Sequence, residues 1–187
     1  MTSTLNRPPA GGPQGPSAHA VLRFTGSLST ALDGLGSVPA WSMTAVEQGQ
    51  ALVELRRQQA RLRELELRVL VAADRNQVGA DSGATSTPAW VAAETASGRA
   101  ACFRDLHLAE ALDTGFEATR VALADGEIDD QKAAIIVTAV RRLTQEYDEL
   151  PAGTHAAAEA HLLELASRFD PATLTQLGKR LFEVVCP

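Results

Sequence analysis

The sequence predicts an all-α protein: a bundle of about seven helices, with one long N-terminal amphipathic helix and hairpins of the helix-turn-helix kind. Three observations predict it. Apolar residues make up 45% of the chain but aromatics only 4%, so the core must be mostly Leu, Val and Ala, which favours closely packed helices over a sandwich. From Leu55 to Ala72 a seam recurs in alternating steps of three and four residues, the period of a helix face and not of a strand. The stretch Gly83 to Leu112 carries the clearest helix stop and start signals in the chain. The length, 187 residues, fits one domain by the usual prior of about 150 residues each.

Met1 to about Ala20 is rich in Pro, Gly and Ser (RPPAGGPQGPS). It cannot bury enough surface to offset its ordering entropy and is expected to be disordered. Phe24, Leu28, Leu32 and Leu35 recur at helical spacing, but Gly26, Gly34 and Gly36 should limit that helix to a turn or two, and Pro39 ends it. Residues 1–43 are therefore expected to be a disordered or weakly ordered extension, and 44–187 the helical domain.

Thr44-Ala45-Val46-Glu47 fits a capping box and opens a long helix to about Asn76. Its seam consists of Leu55, Gln58, Leu62, Leu65, Val69 and Ala72, spaced as in a coiled coil. Leu67 and Leu70 widen this apolar face, which suits a helix docked in a bundle better than an isolated two-stranded coil. The other face carries Arg56, Arg57, Arg61, Arg63 and Arg68, offset by Glu54, Glu64 and Glu66. Interleaved acids make a solvated, salt-laced face the plain reading and a phosphate-binding face the functional one.

After a Gly/Asp/Ser loop over 77–84, Thr87 with Pro88 reads as an N-cap with proline at the first helical position. Ala96, Ser97 and Gly98 break that helix, and Ser97 is placed to cap a second, carrying Ala101, Leu108 and Leu112 on one side and Arg104 on another. Thr114-Gly115-Phe116-Glu117 reads as a second capping box, with Asp125-Gly126 as the stop. Asp129 caps the next helix, to about Tyr147. Its run AAIIVTAV has a strand-like composition, but Lys132, Arg141, Arg142 and Glu146 extend one segment too long for a strand. Pro151-Ala152-Gly153 is a turn, Thr154 is placed to cap a helix to Phe169, and Asp170-Pro171 caps a last one through Leu174, Leu177, Leu181 and Val185.

Chemistry is scarce. The four histidines are scattered: His19 in the tail, His107 alone on its helix, and His155 and His161 six apart, pointing different ways. His155 and Glu159 share a face and read as a surface pair. No phosphate-loop, dinucleotide-binding, zinc-protease or nucleophile-elbow pattern occurs. No catalytic residue, metal ligand, cofactor or small-molecule ligand is nominated. Cys102 and Cys186 form no CxxC pair and read as reduced thiols in a cytoplasmic protein. No apolar run approaches the roughly 18 residues of a membrane span, and the N-terminus lacks the pattern of a secretory signal. The net charge of −6 argues against a dedicated nucleic-acid module.

Taken together, the long Leu/Arg-rich helix, GATST with Trp90, LAEAL, ALADGEIDDQKAAIIVTAV and AEAHLLELASRFDPATLTQLGKRL resemble the helical domain called domain of unknown function 222, from about Ala45 to Val185. The most specific pieces are Gly83 to Thr87 with Trp90, Ala124 to Ile128, and Phe169 to Ala172. The resemblance implies an actinobacterial protein of the 13E12-repeat type, in which this domain usually precedes an HNH nuclease domain. It implies a link to DNA but no catalytic residues here, because the nuclease chemistry lies downstream of the matching part. The chain departs from the family at Thr95-Ala96-Ser97, where relatives carry a glycine before the turn of the helix pair, and Arg99 and Arg104 are balanced by Asp105 and Glu110.

Two functions follow as expectations. The first is a non-catalytic, DNA-associated helical domain with weak contacts from Arg56, Arg57, Arg61, Arg63 and Arg99. The second is a protein-interaction or oligomerisation domain, binding itself or another helical protein with no nucleic-acid role.

Overall fold

The computed structural model describes residues 19–146 and 151–180. Among the described residues there are eight α-helices and no strand: α1 (Ala20–Leu35), α2 (Ala45–Arg75), α3 (Thr87–Glu94), α4 (Arg99–Thr114), α5 (Glu117–Asp125), α6 (Asp130–Glu146), α7 (Thr154–Ala166) and α8 (Pro171–Lys179). Single 3-10 turns occupy Ala40–Ser42 and Ala80–Ser82. The all-α bundle expected from composition and period is present. The expected disorder of the first residues, and Leu181, Val185 and Cys186, lie outside the described residues.

The chain divides into two compact units, Met1–Gln48 and Gly49–Pro187. In the first, α1 has 16 residues and buries none of them. It is longer than the expected turn or two. A glycine in a helix costs only about 1 kcal/mol against alanine. His19 caps the helix by accepting from the Val21 amide, and Ser27 and Thr30 donate back to the carbonyls of Arg23 and Gly26. The capping box opening α2 forms as read. The Thr44 amide donates to the Glu47 carboxylate at 2.7 Å, and the Glu47 amide donates to the Thr44 hydroxyl at 3.3 Å. The bonds from the Thr44 amide and then its hydroxyl hold the Glu47 carboxyl below its ordinary range.

In the second unit α4 to α8 surround one core, in which Leu123, Ile136, Val140, Leu162 and Leu174 are fully buried. On α6 the buried positions Ala133, Ile136, Val137 and Val140 follow the three-and-four step, so the strand-like run is a helix with one face in the core. Asp129 caps α6 by accepting from the Lys132 amide at 2.8 Å, and Gly126 ends α5 in the left-handed conformation. Asp170 caps α8 through the amides of Ala172 and Thr173 and the Thr173 hydroxyl.

Four cap assignments are corrected. Ser86, not Thr87, caps α3, leaving the Thr87 hydroxyl free to donate to the Val78 carbonyl and tie the preceding loop to the helix. Gly98, not Ser97, precedes α4, because the Ser97 hydroxyl is held by Thr95. Thr154 is the first residue of α7 and donates to the Pro151 carbonyl instead of capping. The box at Thr114–Glu117 does not form. Thr114 donates back to Glu110, and the N-terminus of α5 is satisfied from another helix.

Candidate functional site

The long helix α2 carries both features that the sequence singled out, the apolar seam and the arginines. At 31 residues it extends about 47 Å, at 1.5 Å per residue. Its buried residues are Ala60, Glu64, Leu67 and Val71, and three of these join the core of the bundle. The seam thought to dock into the bundle faces elsewhere: Leu55 is 59%, Leu62 41% and Val69 45% exposed. The correction has a simple origin. Two apolar stripes run along α2, and periodicity alone gives no rule for which one meets the bundle. The salt-laced side decides it, because α2 is fastened to the bundle by charges as well as by packing.

Arg63 is the centre of that fastening. Its guanidinium binds Asp105 of α4, Asp130 of α6 at 3.1 Å and Glu66 of its own helix at 2.9 Å. Burial alone would push its pKa down, but Glu66, Asp105 and Asp130 outweigh burial and hold it above the ordinary value. Arg75 reaches Asp113 of α4. The Glu64 carboxylate is buried between Arg68 at 3.3 Å and Arg120 of α5 at 3.6 Å. Its Oε1 is the one buried side-chain oxygen or nitrogen among the described residues without a hydrogen bond, and it borders a cleft of about 240 Å³ beside Leu67, Ala109 and Leu112.

The five arginines named as DNA contacts therefore separate. Arg63 is consumed by three carboxylates. Arg57 donates to the Asp125 carbonyl at 3.0 Å and lies against Gly126. A Cβ at Gly126 would stand 2.7 Å from the Arg57 carbonyl oxygen, and φ there is +73°. The glycine of the ADGEI segment is thus required by the close approach of α2. Arg99 lies over the Phe103 ring at 5.7 Å and donates to Thr85. Arg61 meets only the Gln58 amide oxygen, at 3.1 Å, and Arg56 is exposed. Arg56 and Arg57 line one cleft with Lys132, while Arg61, Arg63 and Arg99 meet the other groups just named.

The α3–α4 hairpin is a packed scaffold. Ala96 adopts φ +52° to make the tight turn, and α4 buries Cys102, Leu106, Ala109 and Leu112. The exposed side of α4 mixes Arg104 with Glu110, and His107 pairs with Glu110. Gly79 at φ +95° lets the loop press against Trp90, whose Cβ would meet a substituent at 2.5 Å. Trp90 thus packs against the loop before GATST, and within that segment Ser86 caps α3 and Thr87 donates to Val78.

The proposed surface pairing of His155 with Glu159 is also corrected. Glu159 is buried on Thr119, and the His155 ring packs against Phe116 at 4.7 Å, tilted by 59°. Among the described residues no three His, Cys, Asp or Glu side chains gather as a metal would require, and no helix is long and apolar enough to cross a membrane.

Comparison with known proteins found no match among curated proteins and none among solved structures. The model of one family, described as Domain of unknown function (DUF222), matches residues 49–187. That match starts where the second compact unit starts and covers the motifs just placed on Gly79, Trp90 and Gly126, so the chain belongs to the DUF222 family.

Proposed function

We propose that the domain is a non-catalytic cytoplasmic interaction module whose working surface is the outward apolar stripe of α2. The observation carrying this reading is the division of α2 into two faces. Ala60, Leu67 and Val71 serve the chain's own core, while Leu55, Leu62 and Val69 remain in water. Three large aliphatic side chains in one line on an exposed helix cost hydrophobic free energy that a partner surface recovers. The pairing of Arg63, Arg68 and Arg75 with carboxylates supports the same reading, because it removes positive charge that phosphates would otherwise meet.

A second reading, association with DNA beside a nuclease of the HNH type, rests on the 13E12-repeat resemblance and is favoured by the exposure of Arg56 and Arg61. A gel shift with a DNA duplex separates the two. The interaction module leaves the duplex unshifted at about 0.15 M salt, where exposed charges are screened within about 8 Å. A salt-sensitive shift abolished by replacing the exposed Arg56 and Arg61 with glutamine would reinstate DNA as the partner.

A further inference from the structure

Resting on the interaction reading, we infer that the partner of the α2 stripe is a second copy of this chain, paired through α2 as a parallel, in-register two-stranded coiled coil. The seam has heptad spacing over three repeats, with Leu55, Leu62 and Val69 at one core position (a) and Gln58, Leu65 and Ala72 at the other (d). The residues that α2 gives to its own bundle, Ala60, Glu64, Leu67 and Val71, fall at the positions farthest from that seam (f and c). Both faces are therefore usable at once. The bundle already holds α2 helical, so pairing does not have to supply the cost of helix formation.

Two features select an identical helix in one orientation. Arg61 precedes the second core turn and Glu66 follows five residues on, so a parallel in-register pair places Arg61 of each chain beside Glu66 of the other, twice per dimer. Arg61 has no carboxylate of its own chain among its hydrogen-bond partners, only Gln58, and Glu66, which meets Arg63 of its own helix at 2.9 Å, stays exposed enough to be shared with a second cation. An antiparallel pair would instead set Arg61, Arg68 and Arg75 against their own counterparts, which like-charge repulsion opposes. The polar core residue Gln58 acts in the same sense. A carboxamide both donates and accepts, so in register Gln58 meets its own copy, whereas a shift by one heptad sets it against Leu65 or Ala51.

Sedimentation velocity on the full chain, over about 1 to 100 μM, tests the pairing. The wild type should approach twice 19.8 kDa. Leu62→Glu should sediment as one chain with an unchanged helical circular dichroism spectrum, because Leu62 is outside the bundle core. A wild type that stays at one chain's mass throughout, whether α1 or another partner covers the seam, overturns the inference. So does a Leu62→Glu variant that still dimerises. Orientation is read from charge neutralisation. Arg61→Gln and Glu66→Gln, the latter leaving Arg63 its bonds to Asp105 and Asp130, should each weaken dimerisation roughly threefold; tighter pairing in either, as relief of like charges in an antiparallel pair would give, overturns the parallel register. A parallel run with a short DNA duplex keeps the two readings apart. A monomer indifferent to the duplex sinks the self-pairing alone, while an arginine-dependent complex with the duplex sinks the interaction reading itself.

Discussion

Glu159 on α7 accepts two hydrogen bonds from Thr119 on α5, one from the amide at 2.8 Å and one from the hydroxyl at 2.7 Å. Both residues are buried. Thr119 is the third residue of α5, where an amide has no partner within its own helix, so a carboxylate forty residues away does the work of an N-cap. Glu159→Ala strands the Thr119 amide and hydroxyl in the core. Urea unfolding should register a loss of about 1 to 3 kcal/mol. Glu164→Ala, at an exposed position of the same helix, should change stability by less than about 0.5 kcal/mol. Equal losses would mean that the cap contributes nothing beyond helix propensity.

Gly126 and Gly153 both have positive φ, but only Gly126 lies against a neighbour. Gly153→Ala should cost about 1 kcal/mol, the strain of a left-handed residue with a Cβ. Gly126→Ala adds a clash with the Arg57 backbone and should cost clearly more, with α2 loosened from the turn between α5 and α6. Comparable melting temperatures for the two variants would show that the close approach of α2 is unimportant.

The two faces of α2 predict opposite responses to one chemical change. Leu67→Ala should lose about 2 to 5 kcal/mol, as buried leucines do. Leu62→Ala, measured dilute enough for single chains, should lose less than about 1 kcal/mol because Leu62 is 41% exposed and outside the bundle core. The arginines should follow suit: Arg63→Ala leaves Asp105 and Asp130 without their cation and destabilises more than Arg61→Ala. Reversal of either order would put the faces the other way round.

Asp170 gives a pH dependence. Bonds from the Thr173 hydroxyl and then its amide hold its carboxyl below the ordinary aspartate range. A carboxyl depressed by folding adds stability above its unfolded pKa, near 4, and loses that stability as pH falls through its lower folded value. The melting-temperature gap between wild type and Asp170→Asn should therefore be constant above about pH 5 and shrink below about pH 4. A gap unchanged into acid would mean that the protonated carboxyl caps as well as the carboxylate.

What the sequence determined by itself is local. The capping box at Thr44, the caps Asp129 and Asp170 and the stop at Gly126 involve atoms within a few residues of each other, so their geometry is fixed once a helix starts. The period of AAIIVTAV with its charged flanks suffices to make α6 a helix. The arginines on α2 were likewise visible as a row. What only the tertiary structure decided is partnership between distant segments. A helix with two apolar stripes can dock by either, and the choice fell to Leu67 because Asp105, Asp113 and Asp130 stand where Arg63 and Arg75 reach them on that side. The same cause moved Arg63 from candidate phosphate contact to ion-pair hub, Glu159 from surface to buried cap, and Gly126 from helix stop to seat for α2. Burial and charge pairing depend on what the fold brings within about 4 Å, and no spacing along one helix encodes that.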